Sequence, residues 1–263
     1  MPRINKYVSL QVPLVPVDEL LPLISESIQS RYKRRKTNTS SALRIPVQIV
    51  KIIVMLHLVF MFSTTMCLIV YKYINPGSTT LMLYRKYTYK WKLQVPSYVS
   101  LSKIPRTIQT MAIKVEDGDF YNHHGIIPAA IKNAWQLNKR FGEPVYGGST
   151  ITMQTARTLF LVPEKSYFRK YLEAIIAIEM EIILGKQRIL ELYFNYAEWG
   201  KGIFGIETAS RYYYKTGIRS LNTDQSIRLI TLLSSPIRYG PFTFQSNRIL
   251  QSRYNYLIQR FGK

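Results

Sequence analysis

Phe168 to Leu184 reads FRKYLEAIIAIEMEIIL, with no glycine or proline in it. The run is too long for an ordinary strand and rich in strong helix formers, so it predicts a helix. Apolar residues fall on nearly every face, so this helix should be largely buried. Glu173 shares a face with Ile176, Ala177 and Met180. A carboxylate on an apolar face is costly unless it is paired or used. Glu173 is therefore either half of a buried ion pair, with Arg169 or Arg157, or part of a reactive site. Gly185 ends the helix.

Toward the C-terminus, Lys186–Trp199 (KQRILELYFNYAEW) predicts another helix. Gly200, Gly202 and Gly205 then space a loop that lacks the dinucleotide-binding glycine pattern. Helices follow over Glu207–Lys215, Asp224–Ser234 and Arg248–Phe261. Toward the N-terminus, Gly142–Gly148 predicts a mobile loop leading into Ser149–Arg157, a glycine-rich turn that enters a helix. Backbone N–H groups at such a start suit an anion. The Gly-Lys-Ser/Thr core of a P-loop is missing, and Ser149 also reads as a plain N-cap. Residues 126–141 predict a helix opened by Pro128. A further helix starts at Ile104-Pro105 and carries the stripe Ile108, Met111, Ala112, Val115. No alternating strand pattern and no internal repeat follows position 100, so the domain reads as all-α.

That last helix delivers Val115-Glu116-Asp117-Gly118-Asp119-Phe120-Tyr121-Asn122-His123-His124-Gly125. Three carboxylates and two imidazoles fall in this one stretch of a chain with 15 acids against 36 lysines and arginines. The cluster is either a polar turn with a helix cap or a place where protons move.

The chain has 263 residues, 47% of them apolar, enough for a sizeable core, and a formal net charge of +21. Such a field implies an anionic partner: nucleic acid, an anionic membrane or a phosphate-bearing substrate. The single cysteine, Cys67, excludes an internal disulfide framework and a cysteine metal cluster. Residues 1–44 hold four prolines and the basic run Arg31–Lys36 and read as a mostly disordered cytoplasmic tail. Ile52–Tyr71 (IIVMLHLVFMFSTTMCLIVY) is almost wholly apolar, enough to span a hydrocarbon core of about 30 Å. His57 and Cys67 read as passengers in it. No small-residue cleavage site follows, so residues 45–71 predict an uncleaved signal anchor. Arg31, Lys33, Arg34, Arg35, Lys36, Arg44 and Lys51 precede or open the span; Lys72, Arg85 and Lys86 follow it. This imbalance favours a cytoplasmic N-terminus and an outside, periplasmic domain at the inner membrane. Residues 72–100, rich in Tyr, Lys and Arg with Trp91, read as a membrane-proximal connector suited to phospholipid headgroups. Residues 101–263 form the domain itself.

Four blocks together resemble the peptidoglycan glycosyltransferase (transglycosylase, glycosyltransferase family 51) family. They are Glu116-Asp117-x-x-Phe120-Tyr121-x-His123-His124-Gly125, then Gly147-Gly148-Ser149-Thr150-Ile151-Thr152-x-Gln154, then Arg169-Lys170-x-x-Glu173-Ala174, and Lys186-x-x-Ile189-Leu190-Glu191-x-Tyr193-x-Asn195. A weaker fifth is Gly205-Ile206-Glu207-x-Ala209-x-x-Tyr212-Tyr213. They stand in the family's order over roughly residues 101–240. Asn195–Gly200 and the chain's end at 263 are similar to the monofunctional members.

The resemblance implies a lysozyme-like all-α fold with a membrane-dipped jaw. It implies polymerisation of lipid II, with the growing glycan on undecaprenyl pyrophosphate as donor and inversion at the reacting carbon. By family position Glu116 is the general base and Glu173 the second carboxylate, acting near the pyrophosphate. Asp117, Phe120, His123, Gly148, Ser149, Thr150, Gln154, Arg157, Lys165, Arg169, Lys186 and Asn195 are the expected substrate-binding residues. Arg157, Lys165, Arg169 and Lys186 would meet the leaving pyrophosphate as its charge develops. No cofactor is expected to be obligatory; a divalent cation, Mg²⁺ or Mn²⁺, is a candidate at Glu173. Expected partners are the lipid-linked glycan, the membrane and other cell-wall synthases, not nucleic acid. The family usually has Gln at Met153, Lys at Arg157, Asn at Thr158 and Arg at Lys165. The two cation swaps keep charge but change geometry. Asp119 also departs from the family pattern. Two other readings compete: a lysozyme-like hydrolase, which also needs carboxylates, and a non-enzymatic basic membrane protein binding anionic lipid or nucleic acid. The first has no need of a cationic cradle or an anchor, and the second leaves Glu116 and Glu173 idle.

Overall fold

The described residues of a computed structural model, 17–141, 147–164 and 166–262, form ten α-helices and one short hairpin. The predicted loop at 142–146 and the candidate Lys165 lie outside them. α1 covers Val17–Tyr73. The disorder expected for residues 1–44 therefore does not hold past Val17. Lysine and arginine are good helix formers, and lengthening a formed helix adds one hydrogen bond per residue fixed. Within α1, Pro46–Tyr73 is a 28-residue segment containing an 18-residue stretch of mean hydropathy 2.3, long and apolar enough to cross a membrane. The chain divides into two units, Met1–Val59 and Phe60–Lys263. The second contains everything described below.

In it, α2 (Thr80–Thr88), α3 (Arg106–Glu116), α4 (Pro128–Phe141), α5 (Ile151–Phe160), α6 (Tyr167–Ile183) and α7 (Gly185–Tyr196) precede the hairpin β1 (Glu198–Gly200) and β2 (Ile203–Phe204). Then come α8 (Ile206–Tyr214), α9 (Thr223–Leu232) and α10 (Arg248–Phe261). α5 is the central helix, packed against α6, α7 and α2, while α3 rests on α9 and α10. Ile151, Ala156, Ile176, Met180, Ile189 and Phe194 fill one continuous core with Phe120 and Phe204. Burying each such large side chain contributes roughly 1.5–3 kcal/mol.

The helix expected over 186–199 stops at Tyr196, and Glu198–Gly200 becomes β1, antiparallel to β2. Gly202, at φ 75°, supplies the left-handed turn between the strands. The hairpin buries Trp199, and Glu198 reaches back to Arg85 through two bonds of 3.1 and 2.9 Å. The last turns of α1 are tied to this unit by two contacts. Thr64 Oγ1 donates to Glu179 Oε2 at 2.7 Å. Arg188 donates from Nε and Nη2 to the Tyr71 carbonyl at 2.8 and 2.7 Å, a cation on the carbonyl end of a helix.

Gly125 sits at φ 91°, and a Cβ there would lie 2.8 Å from the Ala177 carbonyl oxygen on α6. Gly125→Ala should cost about 1–3 kcal/mol through backbone strain alone, before any shift of α6. Thermal unfolding of the detergent-solubilised chain should show the loss; an unchanged midpoint would refute this close approach.

Candidate active site

α3 ends because Asp117 leaves helical geometry, at φ −161° and ψ 74°. Glu116 then faces outward from the last turn, and Asp117 turns inward and is buried. Asp117 Oδ2 accepts from the Ile151 backbone N–H and from His123 Nε2, both at 2.9 Å. The Gly125 N–H donates to His123 Nδ1 at 3.0 Å, which leaves Nε2 to carry the proton given to Asp117. The anion at the start of α5 is thus the protein's own Asp117. Asp117 and His123, both expected to bind substrate, are thus bonded to each other and to the backbone at Gly125 and Ile151.

α5 presents two faces. Ile151, Met153, Ala156 and Leu159 point into the core, which accounts for the apolar Met153. Gln154 and Arg157, one helical turn apart, face a cleft of about 710 Å³. Glu116, Ser149, Gly147, Ser234, Arg248, Ser252 and Arg253 also line it. Gln154 Nε2 donates to Glu116 Oε2 at 3.0 Å, and Arg253 Nη2 pairs with Glu116 Oε1. Arg253 is itself held by the carbonyls of Val115 and Ile230, both at 3.4 Å. A carboxylate oxygen has two lone-pair sites, so this clamp fixes the Glu116 carboxylate and leaves acceptor capacity toward the cleft. Glu116 is the only acid among the described residues that line it.

The Arg157 carbonyl accepts from Leu161 N at 3.0 Å, but its guanidinium makes no hydrogen bond and no ion pair with any described residue. Burial pulls its guanidinium below the usual arginine range, while Tyr193, Glu116 and Glu198 nearby oppose that shift. A partly buried cation without an ion pair is costly, and an anion in the cleft would offset that cost. Beneath it, burial raises Tyr193 well above the ordinary phenol range, so it stays neutral.

Beside the cleft, on α6, Glu173 is 1% exposed. Both of its oxygens are engaged, Oε1 by Arg169 and Oε2 by Lys170 at 2.9 Å. Lys170 Nζ also donates to Ser149 Oγ at 2.5 Å, which joins this cluster to the cleft wall. Arg169 and Glu173 therefore lie next to the cleft without lining it.

The remaining expected residues are scaffold. Phe120 is fully buried, and Lys186 Nζ sits 4.6 Å above its ring while donating to Glu181 and to the His123 carbonyl. Lys186 thus bonds the Asp117–Gly125 turn at the His123 carbonyl and is not among the residues that line this cleft. Thr150 caps α5, accepting from Met153 N and donating to Gly125 O. Gly148 is needed because a Cβ there would come within 2.7 Å of the Ile131 Cα. Asn195 pins Val99 from both sides at 2.8 Å. Thr158 donates to the Gln154 carbonyl.

The sequence reading missed Arg248, Ser252 and Arg253, all on α10, and Lys170. The signal was present in the spacing: Arg248, Ile249, Ser252 and Arg253 fall on one helical face, whose edge at Arg253 borders the buried Leu250 and Leu257.

The model of the family described as Transglycosylase matches residues 85–261, beyond both ends of the block resemblance. The chain is 40% identical over 199 residues to the biosynthetic peptidoglycan transglycosylase of Paraburkholderia phytofirmans, covering 73% of this chain and 81% of the relative. It is 42% identical over 174 residues to that of Burkholderia orbicola, covering 63% and 69%. It is 36% identical over 215 residues to that of Bordetella pertussis, covering 78% and 87%.

Proposed function

The chain belongs to the transglycosylase family, and from that premise we propose that it is a peptidoglycan glycosyltransferase that polymerises lipid II into glycan strands. Glu116 takes the proton of the acceptor 4-hydroxyl. That oxygen forms a bond to C1 of the donor sugar, with inversion. The C1–oxygen bond to phosphate breaks, and undecaprenyl pyrophosphate leaves with the bonding pair. Arg157 meets the charge that develops on it. Gln154 and Arg253 hold the base in place.

One observation carries this reading: among the described residues, a clamped carboxylate and a partly buried guanidinium without an ion pair face the same cleft. A glycan hydrolase of the lysozyme kind works with two carboxylates flanking the bond, and it needs no cation for a phosphate. Purified full-length protein with labelled lipid II in detergent should give a ladder of strands that lysozyme digests. Digestion of cell-wall sacculi without polymer formation would favour the hydrolase instead.

Arg169 and Lys170 already occupy both oxygens of Glu173, and no group of three metal-binding side chains occurs among the described residues. A divalent ion at Glu173 would have to share its oxygens with those two cations and meet their repulsion. Chelation by EDTA is accordingly expected to leave the polymerisation rate within about twofold, well under the effect of losing one charged hydrogen-bond donor. A tenfold or larger loss restored by Mg²⁺ would reinstate the metal.

The helix Pro46–Tyr73 fits a single-pass membrane protein. The basic excess before it supports an inside N-terminus and an outside catalytic domain. The chain's partners on this reading are the lipid-linked glycan and the membrane, with other cell-wall synthases as candidates.

A further inference from the structure

A second cavity, of about 720 Å³, shares no described lining residue with the cleft. Ser102, Arg106, Gln109 and Thr110 line it from α3 and the turn before it, and Arg188 and Glu191 line it from α7. Arg188 fixes its place in the molecule. Its Nη2 donates to the carbonyls of Tyr71 and Ile74 at 2.7 and 3.3 Å and to Asn75 Oδ1 at 2.8 Å. Those groups stand at the C-terminal end of the apolar helix Pro46–Tyr73. On the membrane-spanning reading above, one arginine side chain separates this cavity from the level of the lipid headgroups.

The lining selects among headgroups. Arg188 and Glu191 form an ion pair at 2.5 Å, and Arg106 has no ion pair among the described residues. Two arginines against one glutamate leave a single positive charge, which matches one phosphodiester. Glu191 Oε1 already accepts from Arg188 and from the Tyr98 hydroxyl, and its Oε2 from the Leu101 N–H at 2.7 Å. The ammonium of a zwitterionic headgroup would therefore meet no unpaired carboxylate here. Hydroxyl groups would find acceptors. Gln109 Nε2 is spent on the Leu101 and Ile104 carbonyls at 3.1 and 2.8 Å, and Thr110 Oγ1 donates to the Arg106 carbonyl at 2.9 Å. What those two side chains have left is oxygen lone pairs.

We propose that this cavity binds the headgroup of a singly anionic, hydroxyl-bearing phospholipid of the phosphatidylglycerol class. The phosphodiester sits on Arg106 and the headgroup hydroxyls on Gln109 and Thr110. The site is independent of the reaction assigned to the cleft and rests on the span Pro46–Tyr73. α3 joins the two sites, because its first turn lines this cavity and its last residue is Glu116. A seated headgroup thus holds the start of the helix that carries Glu116.

The test uses full-length protein in neutral detergent, titrated with phosphatidylglycerol, phosphatidylethanolamine or inorganic phosphate. Native mass spectrometry counts the lipid retained, and the thermal midpoint reports its linkage to folding. Wild type should retain one phosphatidylglycerol and melt higher with it, and the other two probes should do neither. Arg106→Gln should weaken retention about fivefold, the usual worth of one cation at an anionic lipid. Ser102→Phe, which fills the cavity from an exposed position, should abolish it. Lys103→Gln removes the same charge from a neighbour that does not line the cavity, and should bind as wild type does. Midpoints without lipid should be the same for all four proteins. Equal retention of phosphatidylethanolamine, an equal response to inorganic phosphate, an equal loss in Lys103→Gln, or wild-type binding by Arg106→Gln or Ser102→Phe would each overturn the proposal. A wild type that binds in this selective way but is released from membranes by carbonate would overturn the span alone.

Discussion

Glu116→Gln is expected to lower kcat for strand formation by about 10²–10⁴, the usual worth of a positioned general base, with little change in thermal stability. The amide keeps the shape of the carboxylate. Its carbonyl oxygen can still accept from Arg253 or from Gln154, so the wall of the cleft stays built. What it loses is the capacity to take a proton. Lipid II binding should survive, because the groups facing its phosphates are elsewhere, so KM should move far less than kcat. Glu116→Asp should fall between the two, since one methylene less cannot reach both clamps at once. A Glu116→Gln protein that polymerises at near wild-type rate, with its fold verified, would remove the assignment.

Most of the helical architecture was legible because the helices are long, apolar on defined faces and bounded by glycine or proline. The departures have local causes. β1 follows α7 directly because Trp199 is drawn into the core and Glu198 to Arg85, contacts that no window around residue 198 contains. The expected site residues divided by burial. Glu116, Ser149, Gln154 and Arg157 face the cleft, whereas Asp117, Phe120, His123, Thr150, Lys186 and Asn195 are not among the residues that line it. A motif shows that these residues belong together, but not which of them meet solvent. Arg253 was hidden for another reason: its ion pair with Glu116 spans 137 positions, and only the packing of α10 on α3 and α9 closes that gap.

The same geometry separates activity from stability at Arg157. Arg157→Met should lower kcat by about 10²–10³, because it removes the guanidinium that meets the leaving diphosphate. Since the substrate already carries charge before reaction, KM should rise as well. Stability should move the other way. In the free protein Arg157 is a partly buried cation with no ion pair among the described residues, and desolvation lowers its pKa. A methionine fills similar space without that penalty, so the variant should unfold at a higher temperature, by a free energy on the order of 1 kcal/mol. Arg157→Lys, the residue usual in the family, should keep activity within about tenfold, trading the guanidinium fork for a point charge. The paired readout is decisive. A variant that is slower and more stable identifies Arg157 as a charge held for the substrate. A variant that is slower because it is less stable would make Arg157 part of the packing, and the diphosphate would have to be met by Arg248 and the Lys170–Ser149 pair.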